Sequence, residues 1–278
     1  MMRLKHFEFK RFGYLEFSGD LPGLLAQYDY QPFVKVVFVK NGGKVVIDFQ
    51  EYSLTKDSVF FINAGQYYQF GQTCEGMMLY YNRDFYCVEI HDKEVACDGI
   101  LFHNVYEIPV IEMDEASSAA MYRIFMELKE EYDAEESSME EMLRILLKQI
   151  IIRSTRLWKQ AHHSGNEEVK REIEFSRNFS QLIEWNYMQL HTVADYAELL
   201  KVSPKVLNKR IVKYNHVAPN DLIKDRIILE AKRLLVHTEL SVKEIGYKLG
   251  YDDPSYFIRL FRKQAKMAPQ QFRLQYQS

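Results

Sequence analysis

A segment of about fifty residues occurs twice near the C-terminal end of the chain, and this repetition limits what that region can fold into more than any other feature. Pro204 and Pro254, Leu207 and Phe257, and Pro219 and Pro269 each stand 50 positions apart. Both copies begin on a helix start signal. Thr192 precedes VADYAELLKV with Asp195 three residues on, and Ser241 precedes VKEIGYKLG with Glu244 in the same place. This is the capping-box pattern, in which the N-cap hydroxyl and the third side chain satisfy each other's backbone amides. Val193, Tyr196, Ala197 and Leu200 share one helical face, as do Val242, Ile245 and Leu249. A turn follows, and in the second copy Gly250 can take positive φ there without steric cost. Ser203-Pro204 and Asp253-Pro254 then set an N-cap oxygen before a proline at the first helical position. Val206, Leu207 and Ile211 answer Tyr256, Phe257 and Phe261 as an apolar face. The reading is two helix-turn-helix units, 192–214 and 241–265. They are joined by a rigid connector with a stripe of Leu222, Ile223, Ile227, Ala231, Leu234 and Leu235.

The charge distribution fits a nucleic-acid partner for that region only. The formal net charge is −3, but 18 of the 36 basic and 12 of the 39 acidic residues lie from Arg171 onward, net +6 there and −9 in the rest. Helix-turn-helix docking brings exposed residues near the start of the second helix to base edges. Those residues are Lys205, Asn208 and Lys209 in the first unit and Pro254, Ser255 and Arg259 in the second. Arg259 is the foremost candidate for a guanine contact. Arg210, Lys213, Arg262 and Lys263 are expected on phosphates. Asp253 is explained as an N-cap. Asp252 has no such role, and either weakens affinity or accepts a hydrogen bond from cytosine N4.

Glu244, Ile245, Gly250-Tyr251, Ser255-Tyr256-Phe257, Arg259, Phe261-Arg262-Lys263 and Pro269 through Arg273 resemble the C-terminal signature of AraC/XylS-type transcriptional regulators. Arg226, Ala231 and Leu234-Leu235 of the connector fit it as well, so the likeness runs from roughly Asn178 to Tyr276. The resemblance implies a seven-helix domain that places two recognition helices in successive major grooves of double-stranded DNA. It also implies RNA polymerase as a further partner, as for an activator. The chain departs from the pattern at His216 and Lys266, where the family commonly has glycine, and at Ala268, where a capping hydroxyl is usual. These changes bear on local stability rather than on DNA binding.

The N-terminal part, 1–112, reads as short strands: 33–39, 44–49, 58–62 and 76–81, with an Asn41-Gly42-Gly43 turn. The expected fold is an antiparallel β-barrel or jelly roll, and the order of strands and turns resembles a cupin-type sensor domain. Cupin enzymes carry a His-x-His pair, but Gln66, Tyr67 and Tyr68 occupy that region here, and His91 and His103 stand alone. No metal, no cofactor and no catalysis are therefore expected. Crowded aromatics suggest a pocket for a small organic effector near Phe38, Tyr68 and Tyr80, with ordinary core packing as the alternative reading. Cys74, Cys87 and Cys97 form no metal or disulfide pattern. With no apolar leader and no run of roughly 18 apolar residues, a cytoplasmic protein without a membrane partner is expected.

Residues 113–160 read as two helices. Met142, Leu143, Leu146, Leu147 and Ile150 give the second an apolar face broad enough to suggest a homodimer interface; burial against the barrel is the competing reading. Residues 161–170, with His162-His163, read as a linker before the DNA-binding part, 171–278. The whole is an α+β chain: a cupin-like barrel or jelly roll with two helices, then an all-α reader. The expected function is sequence-specific transcriptional regulation under a small effector. A cupin-like enzyme with a helical accessory domain and a ligand-independent DNA-binding protein are the alternatives.

Overall fold

The computed structural model describes residues 4–18, 30–86, 101–102, 108–134, 136–162, 167–215 and 217–276. The chain divides into two compact units, 1–164 and 165–278. His91, His103, Cys87, Cys97, His163 and His216 lie outside the described residues.

The first unit has nine strands among its described residues: β1 (Leu4–Phe7), β2 (Lys10–Ser18), β3 (Val34–Val39), β4 (Lys44–Ile47), β5 (Gln50–Ser53), β6 (Ser58–Ile62), β7 (Tyr68–Phe70), β8 (Glu75–Tyr81) and β9 (Val110–Glu112). They form two antiparallel sheets, ordered β1-β2-β8-β3-β6-β9 and β5-β4-β7. Two helices follow, α1 (Glu115–Ala134) and α2 (Met139–His162). The central strands bury both faces. Val36, Phe38, Val59, Phe61, Met77 and Leu79 pack with Phe125, Leu128, Leu147 and Ile150 of the helices. Val37, Val39, Phe60, Ile62, Met78 and Tyr80 pack with Val45, Ile47 and Phe70 of the smaller sheet. Continuous runs such as VKVVFV are what strands covered on both sides require.

This arrangement differs from the expectations at four points. Among the described residues no closed barrel forms, because the larger sheet ends at β1 and β9 and the smaller at β5 and β7. The two helices belong to the same compact unit as the strands rather than to a separate segment. The predicted dimer face is mostly this unit's own core: Leu143, Leu146, Leu147 and Ile150 are buried, whereas Met142 is 44% exposed and the neighbouring Ile145 50%. A helix lying against both another helix and a sheet needs a wide apolar arc, which accounts for the breadth without a second chain. The predicted linker 161–170 is also shorter than expected, with α2 running to His162 and the next helix starting at Glu167.

The second unit holds seven helices among its described residues: α3 (Glu167–Asn186), α4 (Val193–Leu199), α5 (Pro204–Asn215), α6 (Pro219–His237), α7 (Val242–Lys248), α8 (Pro254–Ala265) and α9 (Pro269–Tyr276). The connector α6 packs against all six others. Its stripe is buried as expected, with Leu222, Ile223, Ile227, Ala231, Leu234 and Leu235 in the interior. Arg226 joins them at 5% exposure, donating to Glu184 (2.6 Å) and Glu230 (3.2 Å) with its guanidinium 3.9 Å from the Tyr187 ring centroid.

Candidate nucleic-acid interface

Both helix-turn-helix units are built by the same local chemistry. Thr192 Oγ1 accepts from the Asp195 amide at 3.3 Å while Asp195 Oδ2 accepts from the Thr192 amide at 3.0 Å. Ser241 and Glu244 repeat this reciprocal pair at 3.2 and 2.8 Å. Hydrogen bonds from Ser241 hold the Glu244 carboxyl below its ordinary range. Each first helix then ends on a left-handed residue, Lys201 (φ 55°) or Gly250 (φ 81°). The following amide reaches back five residues, Val202 to the Ala197 carbonyl at 2.9 Å and Tyr251 to that of Gly246 at 3.0 Å, the bond that closes a Schellman turn. Thr192→Ser241 and Lys201→Gly250 are 49 apart, whereas Pro204→Pro254 and Pro219→Pro269 are 50 apart. The second unit therefore carries one extra residue between its turn and its recognition helix.

The recognition helices begin as the sequence predicts. Ser203 Oγ accepts from the Val206 amide (3.3 Å), and Asp253 Oδ1 from the Ser255 amide (2.8 Å). Leu207 and Ile211 of α5, and Phe257 and Phe261 of α8, are fully buried. The opposite sides are open. Lys205, Asn208, Lys209 and Lys213 are exposed along α5; Ser255, Arg259, Arg262 and Lys263 are exposed along α8, and Pro254 is half-buried. Arg259 leans toward the N-cap, its Nη2 3.8 Å from Asp253 Oδ2. Asp252 is exposed beside it.

Three residues depart from expectation. Val206 and Tyr256 were placed on the buried face but are 42% and 46% exposed. Adjacent positions on a helix point about 100° apart; Leu207 and Phe257 share a face with Ile211 and Phe261 four residues on and are fully buried, which leaves Val206 and Tyr256 at the open edge of that face. The exposed pair offers apolar contact of the kind a thymine methyl accepts. Arg210 was expected on phosphate but is half-buried, with Nε 2.8 Å and Nη2 2.9 Å from the two oxygens of Glu172.

The segment between α3 and α4 packs on the turn of the second helix-turn-helix unit. An added Cβ on Gly250 would lie 2.2 Å from the Met188 carbonyl oxygen, and the His191 ring stacks on Tyr251 at 4.7 Å. The missing hydroxyl at Ala268 leaves half a capping box, in which Gln271 Oε1 accepts from the Ala268 amide at 3.1 Å. Lys266 takes the left-handed cap of α8 (φ 58°) in place of glycine. Lys201→Gly and Lys266→Gly are each expected to stabilise this unit by up to about 1 kcal/mol, seen as a higher urea midpoint. An unchanged or lower midpoint for both counts against strain at these caps.

The predicted effector residues do not share one space. Phe38 faces the helices, 5.7 Å from the Phe125 ring, whereas Tyr80 lies between the sheets, 5.0 Å from Tyr30. Strand side chains alternate, so the two point to opposite faces of one sheet. Tyr68 is half-buried, its ring 4.7 Å from the ammonium of Lys35, a fully buried lysine that the sequence reading did not single out. Among the described residues no group of three or more potential ligands could hold a metal ion, and no helix is long and apolar enough to cross a membrane.

The profile of a helix-turn-helix domain family matches residues 196–275. Over 96 residues the chain is 32% identical to YijO, an uncharacterized HTH-type transcriptional regulator of Escherichia coli, a match covering 34% of each protein. The HTH-type transcriptional activator RhaR of an Enterobacter species is 20% identical over 244 residues, 87% of this chain and 84% of that one. The matches to the first three curated relatives span 32–40% of those proteins' own length. Among solved structures, ToxT from Vibrio cholerae aligns over 97% of this chain and 99% of its own, with 14% identity and a TM-score of 0.46.

Proposed function

We propose that this chain is an AraC-type helix-turn-helix regulator rather than an enzyme, a reading supported by its likeness to helix-turn-helix transcriptional regulators, and that it binds a bipartite DNA site by inserting α5 and α8 into the major groove. One observation carries this reading. Within a single packed unit the same start cap, turn and recognition helix occur twice, each with a row of exposed polar and basic side chains opposite a buried face. Lys205, Asn208 and Lys209 read bases through the first unit, and Ser255 and Arg259 through the second, with Val206 and Tyr256 adding apolar contact. Lys213, Arg262 and Lys263 serve the phosphates.

Selection of bound duplexes from random DNA tests the proposal. Two conserved half-sites are expected about one helical turn, roughly 10 base pairs, apart. On the selected site Arg259→Ala is expected to cost about 1–3 kcal/mol and to relax preference at one base pair. Lys263→Ala should weaken all sequences alike and lower the salt slope by about one. No enriched sequence, or an Arg259→Ala variant that binds like the parent, refutes the assignment.

The first unit, with its two facing antiparallel sheets, is proposed as the cupin-type sensor. A cleft of about 460 Å³ opens between β5, β9 and the end of α2, walled by Leu54, Ile111 and Trp158 with Glu51 and Glu112 at its margin. That volume lies within the roughly 300–1,000 Å³ typical of small-ligand sites. Trp158 fluorescence in a Trp185→Phe background, titrated with sugars, fatty acids and aromatic acids, reports occupancy. A flat response across the panel removes the effector and leaves a ligand-independent DNA-binding protein. A homodimer, now through exposed Met142 and Ile145, belongs to the same proposal and is checked by sedimentation. So do a cytoplasmic location and activation through RNA polymerase, supported by the activator name of the RhaR relative and checked by transcription from a promoter carrying the selected site.

A further inference from the structure

Arg210 lies on the first recognition helix, yet its polar atoms are engaged away from the expected DNA face. Glu172 of α3 holds it at two points, 2.8 and 2.9 Å, and its guanidinium lies 3.5 Å from the centroid of the Phe175 ring, also on α3. The two side chains of the ion pair are only 30% and 19% exposed. A planar fork that is both paired at two points and stacked on an aromatic ring has used the features that distinguish arginine from lysine. A phosphate oxygen approaching that guanidinium would meet the Glu172 carboxylate.

The repeat supports the same conclusion from a second direction. The residue 50 positions on is Leu260, which is buried at 6% exposure. In the second unit this position faces inward and works by packing. In the first unit it turns toward α3 and works by a clasp. The exposed readers Lys205, Asn208 and Lys209 lie roughly 100–160° round the helix from it.

We infer that Arg210 is a positioning residue: the Glu172–Arg210–Phe175 clasp sets the rotation of α5 about its own axis, and with it the angle at which Lys205, Asn208 and Lys209 meet base edges. The inference rests on the proposal that α5 reads DNA.

The sign of one substitution separates a clasp from a phosphate contact. Affinity is measured for a selected site and an unrelated duplex across a salt series, with full-length protein whose thermal midpoint is checked in parallel. If the clasp positions α5, Glu172→Ala and Glu172→Gln weaken specific binding about tenfold while unrelated DNA is bound as before or more tightly. Arg210→Ala then gives the same specific loss without a change in salt slope, and the double variant loses no more than either single one. If Arg210 instead serves a phosphate, removing Glu172 tightens binding to both duplexes and Arg210→Ala lowers the salt slope by about one; that outcome overturns the inference. Glu172→Gln keeps the side-chain volume and guards against a simple folding defect. Lys205→Ala and Asn208→Ala serve as controls. If neither affects the selected site, the reading of α5 as a DNA reader has failed and the inference falls with it. If both lose affinity while Glu172→Ala does not, only the clasp has failed.

Discussion

Arg226→Met is expected to destabilise the C-terminal unit by about 3 kcal/mol. Burial alone opposes the guanidinium charge, and the carboxylates of Glu184 and Glu230 outweigh it, holding Arg226 above the ordinary arginine range. Methionine fills much of the volume but strands the Glu184 carboxylate and leaves Glu230 only the longer contact with Arg233 (3.5 Å), and breaking a buried pair from one side costs about 3–5 kcal/mol. The lower end applies because Glu184 and Glu230 keep 25% and 18% exposure and Glu230 keeps Arg233. The penalty should shrink on acidification. In the variant the stranded Glu184 carboxylate binds a proton more readily folded than unfolded, so stability returns as pH falls. Adding Glu184→Met and Glu230→Gln should recover most of the loss, since replacing a whole buried ion cluster is often neutral. Urea titration of the single and combined variants reads all of this. A single-variant loss under about 0.5 kcal/mol would place the cluster with ordinary surface pairs.

Gly250→Ala is expected to cost about 2–4 kcal/mol and to abolish recognition by the second unit. Two terms add. The position has φ +81°, which an L side chain resists by about 1–2 kcal/mol. The new methyl also meets the Met188 carbonyl oxygen 2.2 Å away, and a main-chain atom cannot swing aside. The corresponding Lys201 shares the left-handed conformation but is exposed. The same turn position should therefore respond with opposite signs, Lys201→Gly gaining and Gly250→Ala losing. A Gly250→Ala protein with an unchanged midpoint and a selected site of unchanged length would show that the turn does not rest on Met188.

What was legible in the sequence was local or periodic. Thr192, Ser241, Ser203 and Asp253 announce their helices because an N-cap bond spans only two or three residues. The stripe of α6 follows from its spacing, and the runs around Val34–Val39 and Ser58–Ile62 identify central strands. What failed needed long-range information. Whether β1, β5 and β9 find partners depends on sequence-distant pairing, so barrel closure could not be read. The apolar arc of α2 was visible, but burial against the same chain and against another leave the same pattern. Arg210 looked like any solvated base on an amphipathic helix, because Glu172 stands 38 residues away. Phe38 and Tyr80 looked like neighbours by composition, and only the strand register puts a sheet between them.

The contact of Met188 and His191 with Gly250 and Tyr251 makes the two halves of the reader poor candidates for modular exchange. A graft of the second half from another protein would confront that seam with a foreign surface, and either half expressed by itself would leave apolar ground uncovered. Retargeting this protein to a new promoter therefore calls for point changes along the outward rows of each helix, with the seam left intact.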